Sequence, residues 1–179
     1  MIKIPKAFHE VLGETQSAKS LLLVITTVCI ATVLWARPIF DVNDVGLWRK
    51  LIALLLFVDI AAGAVANLTE GTNRFYSTRP AHRWGFIALH IHLLVFAALL
   101  DLPLLPFVLI WAYVIAATVS LNVLMEWKDQ RLLAGAFVAV GWMGLGLLPL
   151  DPLGLVVSAL FLFKLCYAFA VDHASGRAS

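Results

Sequence analysis

Apolar residues arrive along this chain in long runs, each closed by prolines, charges or both, with no alternating rhythm of the kind strands give. Six runs, at 21–36, 51–68, 84–100, 102–125, 132–150 and 153–171, are read as spans against the roughly 17–25 residues that carry a helix across about 30 Å of hydrocarbon. Helices are expected throughout, because isolated strands leave backbone groups unsatisfied in lipid. The connections around Asp101 and Pro103, and around Pro149, Asp151 and Pro152, are so short that the spans they join must be antiparallel hairpins. Before residue 21 the chain is polar with scattered Ile2, Ile4, Phe8, Val11 and Leu12, which suits a short surface-lying helix better than a cleaved signal peptide. The predicted fold is therefore all-α: an integral membrane bundle of six transmembrane helices. Residues 1–20 are an interfacial segment, 21–172 a single domain and 173–179 a flexible tail.

Composition strengthens this reading. Hydrophobic residues make up 62% of the chain and charged residues 13%, against about 45–50% and about 25% in soluble domains, and the mean hydropathy is +0.94. There is too little polar surface to face water. The net charge of +2 is small and its basic residues are scattered, so a nucleic-acid partner is set aside. Cys29 and Cys166 sit inside apolar runs, where cysteine behaves as a small hydrophobe. Membrane lipids are the expected surroundings, and a homodimer is left open.

Lysine and arginine set the expected orientation. With the N-terminus cytoplasmic, Lys3, Lys6, Lys19, Arg74, Arg79, Arg83, Lys128, Arg131 and Arg177 fall on one side, and Arg37, Arg49 and Lys50 on the other. Both termini are thus expected on the cytoplasmic side, as in a bacterial inner-membrane protein. Trp48, Trp84 and Trp127 near span ends fit the headgroup layer. Small residues at helical spacing, such as Gly141 and Gly144, are read as close-packing positions.

Ionisable groups inside spans are costly and mark candidate function. Asp59, His90, His92 and Lys164 lie near mid-span. At 100° per residue, Asp59, Gly63, Asn67 and Glu70 form one stripe running to the cytoplasmic face. The same arithmetic gathers Arg83, His90, Ala97 and Asp101, and separately Thr118, Asn122 and Glu126, while placing His92 about 200° from His90. The two histidines are accordingly expected to face different ways.

A cytoplasm-facing polar cavity would account for the stripe. Asp59, His90 and Glu70 are the candidate catalytic acid–base groups. Asn67, Thr69, Asn73, Arg74, Arg79, Asn122, Glu126 and Lys164 are candidates for binding a hydrophobic or anionic small molecule, since arginine forks suit phosphate and carboxylate. The plainer alternative makes Asp59 and Lys164 a buried ion pair joining two helices. His82, Glu126, Asp172 and His173 lie near one face as weak metal-ligand candidates, with no close-spaced motif; no metal or other cofactor is assigned.

The spacing from His90 to Asp101 superficially resembles that of the seven-span metal hydrolases that include alkaline ceramidases. Phe86 stands where their serine would be and the paired histidines of their last span are missing, so no residue is carried over. The central lysine of the last span looks a little like a rhodopsin's, but six spans and the local SALFLFK depart from that pattern. The function expected is an enzyme acting on a lipid or other hydrophobic molecule. A small proton-coupled transporter and a structural subunit of a membrane complex are the alternatives.

Overall fold

The computed structural model describes residues 1–173, so the tail from 174 onward, with Arg177, lies outside the described residues. The described chain is all-helical apart from one two-residue ladder. The elements are β1 Ile2–Lys3, a single 3-10 turn, α1 His9–Leu12, β2 Thr15–Gln16, α2 Ala18–Phe40, α3 Leu47–Ala66, α4 Glu70–Ser77 and α5 Pro80–Leu89. Then come α6 His92–Leu99, α7 Leu104–Val123, α8 Gln130–Leu145 and α9 Pro152–Phe163, which runs on into a π-helical turn, Lys164–Phe169.

Among the described residues four segments are long and apolar enough to cross a membrane: α2, the α5–α6 stretch Pro80–Leu99, α7, and Pro152–Phe169. A fifth follows if α3 and α4, bent by 88° at a short break, count as one span. The six expected spans are thus supported only as four to five. The fifth sequence run forms α8, of 16 residues, and at 1.5 Å per residue its length is about 24 Å, short of about 30 Å.

The boundaries have local causes. Ser17 caps α2 by accepting a hydrogen bond from the Ser20 amide at 3.0 Å, and Asp151 caps α9 from the Gly154 amide at 2.7 Å with Pro152 at the first helical position. Thr69 caps α4 in the same way. α2 is exposed along most of its length and packs on α3, which places it at the bundle's outer edge. The core runs through Phe57, Ile60, Phe96, Phe107, Val114, Leu121, Phe161 and Leu165. On α3, Ala61, Ala62, Gly63 and Ala64 are all buried, small residues pointing round the helix, with Ala62 packed near Val24 of α2. At Gly63 a Cβ would overlap the stem of Lys164.

The N-terminal segment is not the expected surface-lying helix. Its longest helix is the four-residue α1, and β1 pairs antiparallel with β2, Ile2 opposite Gln16 and Lys3 opposite Thr15. The segment lies on the first turn of α4, where two glycines let backbone meet backbone. A Cβ on Gly13, whose φ is +69°, would strike the Gly71 carbonyl, and one on Gly71 would strike the Thr15 carbonyl. The Tyr76 hydroxyl donates to the Glu10 carbonyl at 2.8 Å, and Gln16 reaches the hydroxyls of Thr69 and Thr72. These specific contacts outweigh the interfacial preference of a segment with so few apolar residues.

Candidate functional site

The site begins at a broken helix. Between α5 and α6 the sequence offers neither glycine nor proline, only His90 and His92 set among apolar residues, yet the backbone leaves helical geometry at His90, with φ −81° and ψ 63°. Freed backbone groups in a membrane protein need new partners. The Trp111 indole donates to the His90 carbonyl at 2.9 Å, and the His90 ring donates from Nδ1 to the Phe86 carbonyl at 2.5 Å. Because a carbonyl only accepts, that bond fixes the tautomer: Nε2 carries the lone pair. His90 is buried and its Nε2 has no hydrogen-bond partner.

The break also brings the two histidines together, with ring centroids 5.0 Å apart. The expectation that His92 faces away from His90 is therefore corrected: the 100° increment holds only along a continuous helix, and this one is interrupted between them. His92 Nδ1 lies 3.7 Å from Asp59 Oδ2.

Lys164 stands at the first residue of the π-helical turn, its side chain almost wholly buried, and donates to Asp59 Oδ2 at 2.8 Å. Asp59 is unevenly enclosed: Oδ2 meets Lys164 and His92, while its side chain keeps 40% exposure. The exposed part faces a cavity of about 740 Å³ bordered by Asp59, Lys164, His90, His92, Phe86, Leu89, Ile91, Val95 and Tyr76. Gly85 leaves a stretch of its wall bare, and Glu10, Val11 and His82 border its other end. Trp35, Phe57 and Phe96 pack in a row, with centroid separations of 5.8 and 6.4 Å, and none of them borders the cavity.

Of the candidate catalytic and binding residues named from sequence, Asp59, His90 and Lys164 meet here. The others do not. α3 ends at Ala66 and α4 departs at 88°, so Glu70 leaves the stripe; it sits exposed, 3.7 Å from Arg74. Asn67 is buried with its Nδ2 unpartnered, outside the cavity lining. Thr69 serves as a helix cap, and Asn73 donates to the Val171 carbonyl at 3.1 Å. Arg79 is held by Glu14 at 2.5 Å and lies over the Phe75 ring. Asn122 accepts from Arg83 at 2.7 Å, and Arg83 also donates to the Ala170 carbonyl at 3.0 Å, tying the end of the last helix to α5 and α7. Glu126 is exposed. Neither Arg74 nor Arg79 borders the cavity, so neither is placed to hold an anionic group there.

Sequence reasoning marked His92 but turned it away from His90, counted His82 only as a weak metal-ligand candidate, and did not place Tyr76 or Glu10 in the cavity. Two histidines flanking Ile91 in an apolar span were the signal that marked the first of these. His82, Glu126, Asp172 and His173 do not converge, and among the described residues no three His, Cys, Asp or Glu side chains come together to hold a metal ion. His82 pairs with Glu10 at 3.6 Å. His173, beyond the last helix, is hydrogen-bonded to the Tyr167 carbonyl at 3.1 Å, and burial pushes its pKa below the usual histidine value.

Compared with protein family models, with curated proteins and with solved structures, the chain gives no match.

Proposed function

We propose that the chain is a six-span protein of a bacterial cytoplasmic membrane, with both termini on the cytoplasmic side, whose cavity takes up a lipid or another hydrophobic small molecule and acts on it by acid–base chemistry. In this reading α8 spans by local thinning of the bilayer, at modest cost. One observation carries the functional part: a carboxylate, an ammonium and two imidazoles converge on one end of a cavity otherwise bordered mainly by apolar side chains. A volume of about 740 Å³ falls in the range of about 300–1,000 Å³ typical of small-molecule pockets. His90 Nε2 offers a lone pair to a substrate proton, and Asp59 supplies a second acceptor whose charge Lys164 balances.

A proton-coupled carrier would use the same charges. It also needs a route to the end of the bundle that holds Asp101, and no residue between Val95 and Asp101 borders the cavity, which favours a one-sided site. The test is native mass spectrometry with lipid analysis on the gently purified protein beside Asp59→Asn and Gly85→Phe. A hydrophobic molecule bound to the wild type, converted on incubation, and lost in Gly85→Phe supports the proposal. Proton flux in reconstituted vesicles that Asp59→Asn abolishes, with no conversion of bound molecules, would replace it with the carrier.

A further inference from the structure

We propose that the inner end of this cavity selects a neutral amphiphile that carries a hydrogen-bond donor, in the simplest case a long-chain alcohol, and that His90 Nε2 is the group that recognises the hydroxyl. The inference rests on the cavity being the binding site, as proposed above, and names the class of molecule it takes.

The donors and acceptors at the inner end carry the argument. The Phe86 carbonyl holds the proton-bearing Nδ1 of His90, so the opposite ring nitrogen is an acceptor, buried and without a partner. A buried acceptor left unmatched is costly, and a ligand hydroxyl matches it. Asp59 Oδ2 is engaged by Lys164 at 2.8 Å with His92 at 3.7 Å, while Oδ1 makes no hydrogen bond. The free positions of these two groups are thus both acceptors, and they call for a donor; His92 Nδ1, also buried and without a hydrogen bond, lies beside the Asp59 carboxylate.

An anion is a poor fit. The one buried cation in the lining, Lys164, is already neutralised by Asp59, and a carboxylate or phosphate brought alongside would face Asp59's own charge and the lone pair of His90. Arg79, which could have served an anion, is committed to Glu14. Along the rest of the cavity, Phe86, Leu89, Ile91 and Val95 offer apolar surface to a hydrocarbon chain.

The experiment compares three probes of equal chain length, 1-dodecanol, dodecyl methyl ether and dodecanoate, binding to the full-length protein in lipid nanodiscs, read by native mass spectrometry at neutral pH. The alcohol is expected to bind about tenfold or more tightly than the ether, the size expected when a buried acceptor is matched in one case and orphaned in the other. Dodecanoate is expected to bind more weakly than the alcohol. His90→Phe, which removes the acceptor, should bring the alcohol-to-ether ratio to about one while ether binding survives. Equal binding of alcohol and ether to the wild type overturns the proposal without needing any variant to fold. So does a preference that persists in His90→Phe, or tighter binding of dodecanoate. Gly85→Phe separates this failure from failure of the cavity reading. A Cβ there meets open space, so a side chain can start into the cavity from that wall without a clash at its root. Probes that bind Gly85→Phe as well as wild type would mean that the cavity is not where they bind.

Discussion

Asp59 and Lys164 form an ion pair whose partners are enclosed very differently, and this inequality predicts an asymmetric response to mutation. The Lys164 side chain is 3% exposed and the Asp59 side chain 40%. Asp59→Leu strands a buried ammonium whose remaining acceptor is the residue-59 backbone carbonyl at 3.4 Å. Breaking a buried pair in this way costs about 3–5 kcal/mol. Lys164→Met strands instead a carboxylate that can hydrate through the cavity, and should cost about 1–2 kcal/mol, between the exposed and buried cases. Removing both groups should return the protein to within about 1 kcal/mol of wild type, because an apolar replacement for a buried pair is often neutral. The assay is reversible unfolding in mixed detergent micelles for all four members of the cycle, followed by circular dichroism, with the coupling taken as the non-additive term. Equal costs for the two single variants would refute the argument from unequal enclosure. An additive double variant would refute the pair itself.

Three further predictions concern other parts of the chain. Gly71→Ala should lift the N-terminal segment off α4, since the new Cβ meets the Thr15 carbonyl; faster amide exchange over residues 10–16 with little change in the spans is the expected result, and unchanged exchange would refute the contact. Gly141→Ala should cost about 1–3 kcal/mol by overpacking, because its Cβ would lie 2.6 Å from a Leu162 methyl, whereas Gly144→Ala meets open space and should be neutral or slightly stabilising in the same unfolding assay. At the far end of the bundle a hydrogen bond from the Arg49 guanidinium holds the Asp101 carboxyl below its usual pKa. The unfolded state then binds more protons, so the pair's contribution is complete above about 3.9, the ordinary aspartate value, and fades as the pH falls through the lower folded value. An Asp101→Asn variant should therefore lose less stability than wild type between about pH 5 and pH 2, and identical acid limbs would remove the pair from the account.

Hydropathy alone determined that this chain is helical and that several of its helices are apolar enough to cross a bilayer. Long apolar runs have only one economical way to satisfy their backbone there, and that requirement acts locally, residue by residue. It also marked Asp59, His90 and Lys164, because a polar group in such a run is conspicuous wherever its neighbours end up. Tertiary structure alone decided which of the marked residues meet. Glu70 left the stripe when the chain turned after Asn67, and His92 joined His90 at a break that has neither glycine nor proline to announce it. That break is held open by Trp111, 21 residues further along the chain, which donates to the His90 carbonyl. The same holds for the arginines of the polar loop: Arg79 could be read as an anion-binding fork until Glu14 proved to hold it. Periodicity describes a helix only while it stays continuous, and the forces that interrupt one come from partners distant in sequence, so the apolar runs were legible one at a time and the site was not.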